Sequence, residues 1–122
     1  MQIDPSRPAE FIIHATDASF DRLVKEAKLP VVVDFWASWC APCRFLARAL
    51  EQVAPDFEGR LQVIKVDVDA NPVTASSFGI QSIPTMAFFD RGSLIGLLPG
   101  ALPAEALRQI FERHLRGEVR AS

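Results

Sequence analysis

The sequence predicts an α/β fold, a central mixed β-sheet flanked by helices on both faces. Three observations carry that prediction. Apolar β-branched runs alternate with helical stripes along most of the chain, as strand–helix–strand units require. The run Val31-Val32-Val33-Asp34-Phe35-Trp36 is nearly continuous rather than alternating, which suits a strand covered on both faces. Towards the end, two apolar runs flank Asp90-Arg91-Gly92, a hairpin signal that adds an antiparallel pair.

The elements follow in order. Residues 1–9 contain two prolines and little apolar content, so they read as a flexible leader. Phe11-Ile12-Ile13 is a short strand. Thr16-Asp17 opens a helix with Phe20, Leu23, Val24 and Ala27 on one face. After Pro30 comes the central strand 31–36. Phe45, Leu46, Ala49, Leu50, Val53 and Phe57 then mark a helical stripe that stops before Gly59. Residues 61–68 form another strand, and 72–78 a short helix of weak periodicity. Strands at 85–89 and 93–98 enclose the turn. The last helix starts near Pro103 and carries Leu107, Ile110, Phe111 and Leu115 on one side. A single domain over 10–118 with a tail at 119–122 is expected, in the order β-α-β-α-β-α-β-β-α.

Composition narrows the function classes. The chain has 122 residues, enough for one domain with a real core. Its net charge of −2, without a basic run, argues against nucleic-acid binding. No apolar stretch approaches the roughly 20 residues needed to cross a bilayer. Met1 to Pro8 lacks the basic and apolar regions of a secretory signal, so a reducing, cytoplasmic location is expected.

The two cysteines, Cys40 and Cys43, sit three positions apart. A structural disulfide closing so short a loop would constrain the unfolded chain little. Zinc normally takes four ligands, and His14 and His114 stand near the two ends without ligand spacing. Two core cysteines falling together by chance is the bland alternative. Redox chemistry is the better reading. Cys40 follows a strand and opens a helix, where unpaired N–H groups and the helix dipole favour a thiolate. Cys43, one turn further in, is placed to attack a mixed disulfide at Cys40. Pro42 suits a helix's first turn because it leaves no N–H unpaired.

At these residues a family comes into view. Val33-Asp34-Phe35-Trp36-Ala37-Ser38-Trp39-Cys40-Ala41-Pro42-Cys43 closely resembles the active-site segment of the thioredoxins. The resemblance continues through Lys65-Val66-Asp67-Val68-Asp69, Asn71-Pro72, Phe78-Gly79-Ile80, Ile83-Pro84-Thr85 and Pro99-Gly100-Ala101, over about residues 10–116. CxxC alone is a weak motif, whereas this ordered set is specific. It implies the thioredoxin fold and protein-disulfide reduction by dithiol–disulfide exchange.

The resemblance also assigns roles. Read alone, Asp34 is slightly better explained as a solvent-facing strand residue, since an unpaired buried carboxylate is costly. The family implies burial beneath the cysteines, a raised pKa, and service as proton acceptor for Cys43. Lys65, by itself an ordinary solvated strand residue, becomes its electrostatic neighbour. Pro84, by base rate a trans proline, is implied to be cis and to face the cysteines. Ile83 then offers its backbone to an extended substrate. Trp39, Ala41, Pro42, Ile83, Pro84, Gly100 and Ala101 form the implied docking surface. Trp36 is expected to be core packing that supports the active-site loop.

Some positions depart from the family pattern. Ala41-Pro42 replaces the commoner Gly-Pro, a change of one methyl from which only a modest shift of potential is expected. Arg48 stands where many thioredoxins have a helix-kinking proline, so a straighter helix is expected. Ser82 and Pro99 replace a common glycine and a β-branched residue near the docking surface, which bears on partner preference. The expected whole is a monomer with no metal or organic cofactor, recycled by a flavin-dependent reductase and acting on disulfide-containing proteins. A binding or holdase module without turnover, and a disulfide oxidase or isomerase, are the alternatives.

Overall fold

The computed structural model describes residues 11–119. Five strands and four helices follow the expected order: β1 Ile12–His14, α1 Phe20–Lys25, β2 Val31–Trp36, α2 Ala41–Val53, β3 Gln62–Asp67, α3 Pro72–Ser77, β4 Thr85–Asp90, β5 Ser93–Pro99 and α4 Ala104–Leu115. The expected leader 1–9 lies outside the described residues. The sheet order is β1-β3-β2-β4-β5. β2 lies parallel to β3 on one side and antiparallel to β4 on the other, so it is the middle strand. This is the thioredoxin fold, in one small α/β domain.

Alternating residues of β2 divide the core in two. Val32 packs with Leu46, Leu50 and Val53 of α2 and Leu107 and Phe111 of α4. Val31, Val33 and Phe35 face the other way, towards Phe20 and Val24 of α1 and Ala75 of α3. A phenylalanine cluster fills that second layer, with the Phe78 ring 5.4 Å from Phe20 and 5.3 Å from Phe89. Such tilted and edge-on pairs are the arrangements aromatic quadrupoles favour.

The structure moves several boundaries. α1 starts at Phe20 rather than Thr16, because Thr16 and Ser19 bond each other's backbone amides through their hydroxyls and form a separate turn. The stripe after the cysteines continues past α2 as a 3₁₀ turn, Ala54–Phe57, which begins with Pro55 at its second position. Phe45 does not belong to the buried stripe; it is 52% exposed. α2 runs unbroken through Arg48, as the missing proline implies. The hairpin loop contracts to Arg91 and Gly92, with φ of 50° and 81° as primed two-residue turns require.

Two polar features organise the helices. α3 begins with Pro72, and Asn71 provides no side-chain cap. Its first amides instead reach Asp17 of the β1–α1 connection, which accepts from Val73 N at 3.2 Å and Thr74 N at 2.8 Å. In α4, His114 is buried with Nε2 3.1 Å from the Phe89 carbonyl and its ring edge-on to Phe88. Exposed pairs, Arg108 with Asp56 and Arg60 with Glu112, also link α4 to the segment after α2. They contribute little to stability. Val119 packs against the α2/α4 core layer.

Candidate active site

β2 ends at Trp36, and four residues later the chain turns into α2 with Cys40 as N-cap. Cys40 has extended φ and ψ of −94° and 110°, so its side chain turns back over the helix's first turn. Its sulfur accepts from the Cys43 amide at 3.2 Å. Pro42 occupies the first turn, where a missing donor costs nothing. Cys40 and Cys43 are joined as a disulfide, with Cα atoms 5.2 Å apart. Cys40 retains 5% exposure against 2% for Cys43.

Asp34 lies two residues before the end of β2, on the Val32 side of the strand, which α2 covers. It is fully buried, so the solvent-facing alternative does not hold. Neither carboxylate oxygen has a hydrogen-bond partner among the described residues. Burial pushes its pKa from 3.8 up to about 7, against the opposing pull of Lys65. Lys65 is its register partner on β3, with Nζ 3.9 Å from Asp34 Oδ2. The same ammonium lies 4.8 Å from the centre of the Trp36 ring.

Trp36 is half-buried rather than fully enclosed: its indole nitrogen is buried, and its ring borders a cavity of about 500 Å³ shared with Phe11, His14, Glu51, Pro55 and Lys65. A tryptophan at a strand's exit has its outer edge beyond the last covered layer. Here the ring covers the Lys65 ammonium.

The Ile83–Pro84 peptide is cis. The Ile83 carbonyl oxygen is 3.9 Å from Cys40 Sγ; a disulfide sulfur carries no proton, so this is a contact rather than a hydrogen bond. Gly100 donates to the Pro84 carbonyl at 2.8 Å, which brings the end of β5 against the proline. Its φ of +98° is a conformation that favours glycine. Ala41, Pro42 and Gly100 are exposed, Ile83 and Ala101 half-buried, and Pro84 buried. Ser82 is exposed and its carbonyl accepts from the Thr85 hydroxyl at 2.7 Å, while Pro99 closes β5 opposite Thr85.

Trp39 is 68% exposed, and its indole N–H donates to Asp69 at 2.8 Å. Asp69 was visible in the sequence only as part of a motif, without a role. Its signal is faint because the two residues are 30 positions apart. Among the described residues, no group of three or more His, Cys, Asp or Glu is arranged to hold a metal ion. No helix among them is long and apolar enough to cross a membrane.

Comparison with known proteins agrees with this geometry. The thioredoxin family model matches residues 11–113. Thioredoxin 1 of a Nostoc species is 44% identical over 100 residues, covering 82% of this chain and 94% of the relative. The thioredoxin of Staphylococcus aureus is 41% identical over 104 residues, covering 85% and 98%. That of Haemophilus influenzae is 36% identical over 104 residues, covering 85% and 97%. With such matches along most of its length, and a cysteine pair joined at the start of α2, the chain belongs to the thioredoxin family and is a disulfide oxidoreductase.

Proposed function

We propose that Cys40 is the attacking thiolate of a protein-disulfide reductase and Cys43 its resolving thiol. The Cys40 thiolate attacks one sulfur of a substrate disulfide, forming a mixed disulfide and expelling the other sulfur as a thiolate. Cys43 then attacks Cys40 Sγ. The bond between Cys40 and the substrate sulfur breaks, and the substrate leaves with two thiols. The protein supplies two electrons and the Cys43 proton, solvent supplies the second proton, and the protein is left as the Cys40–Cys43 disulfide. Asp34 accepts the Cys43 proton, for which a carboxylate with a pKa of about 7 is well matched. Lys65 limits how far burial raises that pKa.

The 3.2 Å contact from the Cys43 amide to Cys40 Sγ supports this reading most directly. An N-cap sulfur faces the positive end of α2, so negative charge is favoured at Cys40 and not one turn deeper. The docking surface comprises Trp39, Ala41, Pro42, Ile83, Pro84, Gly100 and Ala101, with Trp36 as a support that shields Lys65. Disulfide proteins and a disulfide reductase are the partners of the family. A flavin-dependent reductase, a monomeric state, a cytoplasmic location and a role in electron transport complete the proposal, as does a domain spanning 10–118.

The test is trapping. Cys43→Ser is expected to accumulate a mixed disulfide with insulin, visible as a reducible mass adduct at Cys40. Cys40→Ser is expected to give neither adduct nor turnover while keeping its fold, since serine is a strong N-cap. An adduct at Cys43 in the Cys40→Ser variant, with turnover retained, would reverse the roles. A measured potential on the oxidising side of glutathione would move the protein to the oxidase or isomerase class.

A further inference from the structure

Trp39 is two-thirds exposed, yet its indole is tethered by the hydrogen bond to Asp69. A surface side chain keeps one orientation only if its partner is itself fixed. Asp69 lies in the connection between β3 and α3, which is braced from within by Asp67. Asp67 Oδ1 accepts from the amides of Asp69 at 3.0 Å and Ala70 at 3.4 Å. Its carbonyl accepts from Asn71 N at 2.9 Å and Nδ2 at 3.2 Å.

The far end of this bracket is held by a residue from another part of the chain. The Asp17 amide donates to Asn71 Oδ1 at 2.9 Å. Its carboxylate accepts from Val73 N, Thr74 N and, at 2.6 Å, the Thr74 hydroxyl. These bonds hold the Asp17 carboxyl below the usual carboxylate range. At six residues α3 is too short to stand as an isolated helix. Ala75, Phe78 and Ile80 anchor its later residues in the core, so Asp17 anchors its start.

We propose that the Asp17 carboxylate is a positioning group for Trp39: by fixing Val73 and Thr74 at the start of α3 it steadies the adjoining Asn71, which the Asp17 backbone amide also holds, and through Asn71 the Asp67–Asp69 turn that keeps the indole oriented beside Cys40. This inference rests on the reading of Trp39 as a docking residue. A pre-oriented indole spares a protein substrate the cost of ordering it on binding, so the role belongs to substrate affinity and not to the chemical step.

The experiment is a double-mutant cycle on insulin reduction, recycled by dithiothreitol, with Asp17→Ala, Trp39→Ala and both together. Asp17→Ala is expected to raise KM for insulin about fivefold with kcat unchanged, the scale of immobilising one side chain. The control reaction, with bis(2-hydroxyethyl) disulfide, does not need the indole and should keep its kcat/KM. In the Trp39→Ala background the Asp17 change should have no further effect on KM. Additive effects on KM in the double variant would overturn the proposal, because a general loosening of the fold does not require Trp39. A raised KM on Trp39→Ala with none on Asp17→Ala would overturn it and leave the docking reading intact. No change on Trp39→Ala would remove both. Should Asp17→Ala not fold, Asp17→Asn keeps one acceptor for Thr74, and the same cycle is expected to show a smaller shift in the same direction.

Discussion

Asp34 holds its proton in the folded protein to about pH 7, whereas in the unfolded chain it ionises near 3.8. Between those values the folded state binds more protons, so stability falls as pH rises from about 4 to 7 and then levels off. The loss is of the order of 4 kcal/mol, from about three pH units at 1.36 kcal/mol each. Asp34→Asn, which mimics the protonated acid, is expected to abolish that slope in denaturant titrations of the disulfide form. It should also slow the second exchange step above pH 7, where the native carboxylate is ionised and able to accept a proton. The sequence shows the charge in the strand but not its burial. An aspartate in an apolar run fits either face until α2 is known to cover it. The half-burial of Trp36 is illegible for the same reason, because its ring lies at the edge of that covered layer.

Helices make their own demands on charge, and α4 carries an unexpected one. Its stripe of Leu107, Ile110, Phe111 and Leu115 was legible from spacing alone. His114 was not, since a histidine near a helix end reads as a solvated cation. It is buried against Phe88 and Phe89, and burial lowers its pKa from 6.5, opposed by the hydrogen bond with the Phe89 carbonyl, by the nearby Val31 backbone and by the Asp90 charge. The unfolded chain therefore takes up a proton first as pH drops below about 6.5, and stability falls with it towards the lower folded pKa. This slope has the opposite sign to that of Asp34. An Asp34→Asn variant is expected to expose it in thermal melts between pH 6.5 and 4, and adding His114→Gln should flatten it while keeping a donor for Phe89. The start of α1 was harder to delimit, whereas α3 begins at Pro72 as its spacing implies. The Thr16–Ser19 turn replaces the expected first turn of α1 by contacts that sequence spacing does not encode.

Across the whole molecule, order of elements was readable and order of strands was not. Alternating segments and the hairpin dictate β-α-β-α-β-α-β-β-α, but only tertiary packing sets β3 between β1 and β2. The central position of β2 follows from its nearly continuous apolar run, broken only by Asp34, which demands cover on both faces. Hydrogen exchange is expected to reflect that layering. Amides of Val32–Phe35, together with those of Ala87 and Phe88, should exchange only through global unfolding, and those of β1 and β5 at the sheet edges faster by local opening. Equal rates across all five strands would contradict a core split by a middle strand. Membership of the family was legible because its motifs lie in fixed order, whereas the Trp39–Asp69 tether and its Asp17 anchor join segments that no motif connects.

The N-cap role of Cys40 has one more consequence. Its sulfur already receives the Cys43 amide while the two cysteines are bonded, and a thiolate there receives it more strongly. Opening the bond therefore needs no new beginning for α2, and the surrounding backbone has little cause to move. A donor of electrons and a recipient of them would meet nearly the same outline. Which of them is served at a given encounter is then a matter of relative potential and abundance, with shape casting no vote.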